Sequence, residues 1–481
     1  MRRAIAAGCC LLLVACTVGP DYKAPEPPTV TRYRSESASE PAGPGRDVPA
    51  AWWTLFESPA LDALVREALE KNPKLEGAQA ALRKAQEDVA GKRSARYPQI
   101  DARGAVNSVD VNAKSLGAPA LPFDTPLTLY DASVSVKYTL DLFGKTRREL
   151  EALSARAEYQ TFQLEGARLM LAGNVVTAAI RIAALTDQIE LTQAIVDVQG
   201  KRLEVAQKLE SLGGVPHLEV VSQSGDLART RATLPPLRDQ RDKALHRLAI
   251  YLGKAPGETE LPALRLADLK LPVELPLSLP SELARQRPDI RAAEALLHEA
   301  SARVGVATAN FYPQITLSAT AGSLATALGD LLSSGTGFYF IGASLLQPIF
   351  HGGQLKAEKR GAVAAFDQAG AAYRETVLTG LQDVADTLSA LEHDGTALEE
   401  RADAAKLADE ALTITSQRYD VGGVSYISLL DAQRQHREAV LARAEADAAR
   451  YADSAALFQA LGGGWWTERE KQKEKEKEKT E

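Results

Sequence analysis

The residues able to carry out chemistry are few, and their spacing does not form a reactive site. The three cysteines lie at positions 9, 10 and 16, so nothing downstream of them can form a disulfide or a thiolate metal site. The six histidines form no HExxH pair, and the sequence has neither a P-loop nor a dinucleotide-binding glycine motif. We therefore expect no cofactor and no metal site, and an enzyme is the weakest functional class.

Cys16 is the exception, because the residues before it suit lipid attachment. Arg2 and Arg3 precede an apolar run over residues 4–15, the order of a secretory signal, and the run is too short to span a bilayer. Residues 13–16 read Leu-Val-Ala-Cys, which resembles the bacterial lipoprotein box. The alternative is an ordinary signal with an incidental cysteine.

Cleavage at that box predicts a signal peptide over residues 1–15 and S-diacylglycerol and N-acyl chains on Cys16. Each buried CH₂ of these chains contributes about 0.8 kcal/mol to membrane attachment. Thr17 follows the cysteine where an Asp would retain the protein in the inner membrane. The sequence therefore predicts a lipid-anchored protein of the outer membrane, with residues 16–50 as an extended arm rich in Pro, Ser and Glu.

Composition limits the remaining possibilities. The 481 residues are 45% hydrophobic and 25% charged, with a net charge of -7. Such a chain has no basic excess for nucleic acid, and its ordinary Gly and Pro content argues against wholesale disorder.

The chain contains an internal duplication. Residues 72–100 align without gaps to residues 287–315, with ten identities over 29 positions, and both segments end in Tyr-Pro-Gln-Ile. The match resumes where Leu142-Phe143-Gly144 aligns with Ile349-Phe350-His351. A period near 210 residues is far longer than that of solenoid repeats, so it indicates two related halves. We assign residues 51–265 to the first repeat, residues 266–466 to the second and residues 467–481 to a charged, solvated tail.

Each half has a pair of segments in which apolar and polar residues alternate. We predict β-strands near residues 100–108, 132–143, 314–322 and 338–349, the last being apolar on both faces. Alternation over roughly ten residues fits a strand that crosses a membrane with lipid on one side and water on the other. A half-buried soluble sheet has the same alternation, so the pattern leaves both readings open.

The long segments between the strand pairs have a helical period. No proline interrupts residues 353–419, and apolar residues recur there in steps of four and three. The stripe begins with Val377, Leu381, Val384, Leu388 and Leu391. The helices are predicted to reverse at two glycine turns, Gly213-Gly214-Val215 and Gly422-Gly423-Val424.

Four strands cannot close a barrel, and open strand edges are not tolerated in lipid. Either the sheet lies outside the membrane, or several chains share one barrel.

Four motifs are distinctive in their order and spacing: Trp-Trp-Thr-Leu-Phe at 52–56, Arg-Gln-Arg-Pro-Asp-Ile at 285–290, Phe-Tyr-Pro-Gln at 311–314 and Leu-Leu-Asp-Ala-Gln-Arg at 429–434. With these motifs, residues 49–466 resemble the outer-membrane efflux factor family, the TolC-like exit ducts, in the lipoprotein branch that includes OprM and NodT-type proteins. The resemblance implies an α+β membrane protein that forms a homotrimer. Three chains would share a twelve-stranded outer-membrane β-barrel, continued by a long periplasmic α-helical barrel.

The resemblance also implies a function. The trimer would be the passive outer-membrane duct of a tripartite efflux system, joined by a periplasmic adaptor to an inner-membrane pump of the resistance-nodulation-division class. The hairpin tips at residues 213–215 and 422–424 would contact the adaptor.

In the OprM-like branch, residues near the helix tips close the pore, and the matching positions here are Ile427, Asp431 and Arg434. The alternative for Asp431 and Arg434 is an i,i+3 pair on a solvated helix face.

Two further functional alternatives stay open at this point. A duct for type I protein secretion would share the fold, and a periplasmic coiled-coil lipoprotein scaffold would share the helices without a channel.

Two tryptophan pairs, Trp52-Trp53 and Trp465-Trp466, flank the repeated body. Core packing is favoured for them over an aromatic belt at the membrane interface.

Overall fold

The computed structural model describes residues 17–30, 32–33, 48–110, 126–258, 262, 264–272 and 280–467. The predicted lipidation site Cys16, much of the predicted arm and residues 468–481 of the tail lie outside the described residues.

Twelve helices and strands of the described chain repeat one order twice. They are α1 Pro59–Lys71, α2 Pro73–Ser94, β1 Gln99–Val109, β2 Leu127–Leu140, α3 Lys145–Ser211, α4 His217–Tyr251, α5 Pro280–Gln286, α6 Pro288–Ala309, β3 Gln314–Ala325, β4 Gly337–Leu346, α7 Gln354–Asp420 and α8 Tyr426–Ala460. Helices α3 and α7 both have 67 residues, and α4 and α8 both have 35. The predicted duplication is therefore also a duplication of structure.

The chain divides into two compact units. The strand unit comprises Met1–Pro25, Leu82–Gln160 and Ala293–Tyr373, and the helix unit comprises Glu26–Ala81, Thr161–Ala292 and Arg374–Glu481. The long helices α3 and α7 contribute residues to both units.

The strand unit contains one four-stranded antiparallel sheet in the order β1-β2-β3-β4. All four predicted strands are present, with different ends. β2 begins at Leu127, five residues before the predicted start, because its first residues pair with the end of β1. It stops at Leu140, since the next residue, Asp141, accepts hydrogen bonds from the first backbone amides of α3, Thr146 N at 3.0 Å and Arg147 N at 2.9 Å. β4 likewise ends at Leu346, three residues before the predicted end.

The arm is held on the strand unit directly after the predicted lipidation site. Val18 N donates to Phe143 O at 3.2 Å, and the buried Arg148 side chain donates to Asp21 at 2.6 Å. Gly19 lies so close to the backbone of Gly305 that an added Cβ would come within 2.5 Å of its Cα atom. These contacts fix the polypeptide within a few residues of position 16.

The helix unit has an aromatic core. Trp52 is 1% exposed and stacks on Phe458 at a ring distance of 5.3 Å, and Trp53 is also buried. Trp465 packs edge-on against Phe162 and donates its indole N–H to Gln286 O at 2.6 Å. Trp52 and Trp53 therefore contribute to core packing, which removes the reading of this pair as an aromatic belt.

Arg287, from the second repeat's Arg-Pro-Asp motif, is buried at the junction of α5 and α6. Its guanidinium donates to Ala460 O, at the end of α8, at 3.0 Å, and to the Asp289 and Asp383 carboxylates at 2.7 and 2.8 Å. Burial lowers the pKa of Arg287, but the two carboxylates outweigh it and raise that pKa overall. The motif thus joins three helices.

The predicted apolar stripe on α7 faces the interior of the helix unit. Val377, Val384 and Leu391 are buried, and Leu381 and Leu388 between them are half-buried. In the other hairpin, Ile189 and Val196 of α3 form a cluster with Leu227 and Leu234 of α4. Burial of these stripes stabilises helices whose glycines would otherwise weaken them.

Candidate functional site

The two glycine turns close their helices with the same backbone geometry. Gly213 and Gly422 have φ angles of 74° and 76°, in the left-handed region. Gly214 N donates to Leu209 O at 2.8 Å, and Gly423 N donates to Arg418 O at 2.7 Å. Together with the bonds from Gly213 N and Gly422 N to the carbonyls one residue further along, these are Schellman motifs, in which glycine ends a helix. The turns predicted at residues 213–215 and 422–424 therefore connect α3 to α4 and α7 to α8.

The surface of these tips is apolar. Leu212 and Val421 precede the two turns and are 82% and 83% exposed. Leu218 and Ile427, at equivalent positions in the following helices, are 73% and 76% exposed. An exposed set of large apolar side chains at a helix end is a feature of surfaces that contact another protein.

The predicted gate residues lie on the first turns of α8. Ser425 caps the helix by accepting from Ser428 N at 3.3 Å. Asp431 and Arg434 form an ion pair within the chain, with Arg434 Nη2 at 2.6 Å from Asp431 Oδ1, and both side chains are about half exposed. Gln435 donates to the other Asp431 oxygen at 2.9 Å. Two side chains of the same helix therefore hold the Asp431 carboxylate, and among the described residues the other Arg434 donors have no hydrogen-bond partner.

The equivalent turn of the first repeat cannot make this ion pair. A shift of 209 residues matches Asp431 to Ser222 and Arg434 to Gly225. A gate built on this ion pair is therefore a property of the α7–α8 hairpin alone.

A hydrogen bond that local sequence patterns do not predict joins the two hairpins. The Tyr419 hydroxyl, at the end of α7, donates to the Glu219 carboxylate, in the first turn of α4. Partial burial and this carboxylate both raise the pKa of Tyr419, so its hydroxyl stays protonated and remains a donor. Within the α7–α8 hairpin itself, the Tyr426 ring lies 5.8 Å from that of Tyr419. Nothing in the sequence pairs residues 219 and 419, which are 200 positions apart.

A cavity of about 240 Å³ with both polar and apolar lining side chains lies between the two hairpins, and Tyr419 and Glu219 are on its wall. Within the described chain, three buried side-chain atoms on its wall have no hydrogen-bond partner: Gln199 Oε1, Arg202 Nη1 and Gln223 Oε1. A buried polar atom without a partner costs about 1–3 kcal/mol relative to a satisfied one. Within the described residues, the polar groups on this wall are therefore not all satisfied.

Comparison with known proteins agrees with this architecture. The sequence matches the outer membrane efflux protein family over residues 64–254 and 279–463. It is 30% identical to the pyoverdine export outer membrane protein OpmQ of Pseudomonas aeruginosa, over 96% of both chains. It is 28% identical to the probable outer membrane lipoprotein SilC of Salmonella typhimurium, over 94% of this chain and 97% of that protein.

The fold is similar to that of solved channels. The outer-membrane channel OprN superimposes with a TM-score of 0.85 at 30% identity, over 94% of this chain and 100% of that one. The α+β fold is thus TolC-like, as predicted, and the matched proteins are outer-membrane transport proteins, not enzymes. The repeat, the four-stranded sheet and the paired hairpins are the features of one group of proteins, and this chain belongs to the outer membrane efflux protein family.

Proposed function

We propose that three copies of this chain form the passive exit duct of a tripartite efflux system of the resistance-nodulation-division type. The observation that carries the proposal is the open four-stranded sheet with β1 and β4 at its edges. As a member of the outer membrane efflux family, the protein works in the outer membrane, where unpaired strand edges cost several kcal/mol for each unsatisfied group. Three such sheets, closed edge to edge, give a twelve-stranded barrel without edges.

The same trimer would bring three copies of the α7–α8 tip together around one axis. Ile427 would narrow the aperture, and Asp431 and Arg434 would form charge-assisted bonds between neighbouring subunits in place of the bond within each chain. Exposed ion pairs contribute about 0–1 kcal/mol each, so binding of another protein can open such a ring. In each chain, the Tyr419–Glu219 bond would hold the α7–α8 hairpin against the α3–α4 hairpin in the closed state.

The remaining components follow from the site. The exposed apolar tips around Leu212 and Val421 offer a contact for a periplasmic adaptor, which would connect the duct to the inner-membrane pump. The duct itself would conduct small toxic compounds passively. Acyl chains on Cys16 would add attachment next to the part of the arm that is bound to the strand unit.

Single-channel recording tests this proposal, with the oligomer mass measured on the same lipid-reconstituted sample. Discrete conductance steps from a trimer are the expected result. The double variant Asp431→Ala with Arg434→Ala should increase open time, because it removes the charged ring, whereas unchanged traces would exclude both residues from the gate. A monomer without conductance would refute the duct and favour a periplasmic scaffold.

A further inference from the structure

An aromatic pair joins the two repeats within the strand unit. The Phe143 ring stacks on the Tyr312 ring at a centroid distance of 4.8 Å and an interplanar angle of 25°. Phe143 lies in the turn from β2 to α3, in the first repeat, and Tyr312 lies in the turn from α6 to β3, in the second. The stack therefore lies beside the β2–β3 pair, where one repeat meets the other.

The duplication provides a second set of the same two residues. Phe350 corresponds to Phe143 in the strand-to-helix turn, and Tyr97 corresponds to Tyr312 in the helix-to-strand turn. The turn that presents the tyrosine is the same in both repeats, because Tyr97 N donates to Ser94 O at 3.0 Å and Tyr312 N donates to Ala309 O at 3.1 Å.

This second set is not assembled within one chain. Phe350 is 84% exposed and Tyr97 is 66% exposed, whereas Phe143 is half-buried in its stack. Phe350 follows β4 and Tyr97 precedes β1, the two edge strands of the sheet. By the repeat, β4 corresponds to β2 and β1 to β3, so the missing partner of the β4 edge is the β1 edge of another copy.

We infer that Phe350 of one copy stacks on Tyr97 of a second copy, forming an aromatic contact at each junction between subunits. The inference rests on the proposed shared barrel. It identifies two side chains that would join neighbouring subunits at the helix-proximal ends of β4 and β1. The contact would bury two large rings that a single chain leaves exposed, and offset-stacked aromatic pairs are favourable beyond their burial.

One local difference between the repeats bears on the geometry. Gly352 and Gly353 lengthen the turn after Phe350 by two residues relative to the turn after Phe143, and both have positive φ angles, 58° and 90°. Glycine is the residue that adopts such angles without strain. The longer turn leaves the Phe350 ring room to reach a separate chain, whereas the shorter turn holds Phe143 against its own chain.

Cysteine cross-linking tests the contact with a matched control in the same fold. A Tyr97→Cys/Phe350→Cys variant and a Phe143→Cys/Tyr312→Cys variant would each be treated, as lipid-reconstituted protein, with a short bis-maleimide. No native cysteine follows position 16. We expect the first variant to give covalent dimers and trimers on a denaturing gel, and the second to give only a cross-linked monomer.

The outcomes separate this contact from the proposed function. A conducting trimer in which the Phe143/Tyr312 variant cross-links but the Tyr97/Phe350 variant does not would overturn the contact and leave the duct intact. A cross-link within one chain in the Tyr97/Phe350 variant would also overturn it. If the unmodified protein formed no trimer and showed no conductance, the shared barrel itself would be refuted.

A second measurement does not depend on cysteine chemistry. Tyr97→Leu and Phe350→Leu should each lower the temperature at which the trimer dissociates, and the double variant should lower it no further than the more affected single variant. Additive effects would mean that the two side chains do not touch, which contradicts the proposed stack.

Discussion

Replacing Tyr419 with Phe should make the duct open more readily, because it removes the hydrogen bond from α7 to Glu219 on α4 while preserving the ring. A hydrogen bond to a charged acceptor contributes about 1.5–3 kcal/mol when it is shielded from water. Both side chains here are only half-buried, so water can replace part of the bond and we take about 1 kcal/mol for each copy. If three copies open together, the closed state loses about 3 kcal/mol, which is about 100-fold in the opening equilibrium.

Single-channel open probability at fixed voltage measures this directly. Tyr426→Phe is the matched control, because Tyr426 lines the same cavity and the structure shows no hydrogen bond from its hydroxyl among the described residues. We expect the control to behave like the unmodified protein. Glu219→Gln keeps an acceptor without its charge and should lie between Tyr419→Phe and the unmodified protein.

Equal open probabilities for Tyr419→Phe and Tyr426→Phe, with both variants fully trimeric, would contradict this prediction. The bond between the hairpins would then stabilise the fold without holding the closed state.

Two further variants concern stability. Arg287→Ala should lower the free energy of unfolding by about 2–3 kcal/mol, because it leaves the α8 carbonyl and two carboxylates without their shared donor. The control, Arg285→Ala, lies at an exposed position of the same motif and should change that free energy by less than about 0.5 kcal/mol. Denaturant titration measures both. Burial, and then the neighbouring Asp394, raises the pKa of Asp453 from 3.8 to about 6. The folded state therefore binds this proton more tightly than the unfolded state, so the stabilisation is complete below pH 3.8 and is lost as the pH rises through about 6. Melting curves across this window should show the loss, and Asp453→Asn should reduce it.

Each expectation has a clear contrary result. Equal unfolding midpoints for Arg287→Ala and Arg285→Ala would mean that the buried guanidinium contributes no net stability. A melting temperature that rises with pH across the same window, or one that Asp453→Asn leaves unchanged, would exclude the carboxyl pair as the source of the dependence.

Much of the fold could be predicted from local patterns. The period-two segments predicted all four strands, and the 3.5-residue stripe predicted α7 with its buried Val377 and Val384. The glycines at 213 and 422 predicted where the hairpins reverse, because a left-handed helix end favours glycine strongly. Strand ends were less predictable, since the ends of β2 depend on pairing with β1 and on the capping of α3 by Asp141.

For the candidate site too, some features could be predicted from local patterns and others could not. The positions of the tips and of Asp431 and Arg434 on α8 could be predicted from local sequence, because helix phase and turn chemistry act over a few residues. The bond from Tyr419 to Glu219 and the stacking of Phe143 on Tyr312 became visible only in the folded chain, as did the exposure of Phe350 and Tyr97. The two contacts join residues about 170 and 200 positions apart, and their geometry is set by how whole helices and strands pack, which no local pattern of residue types records.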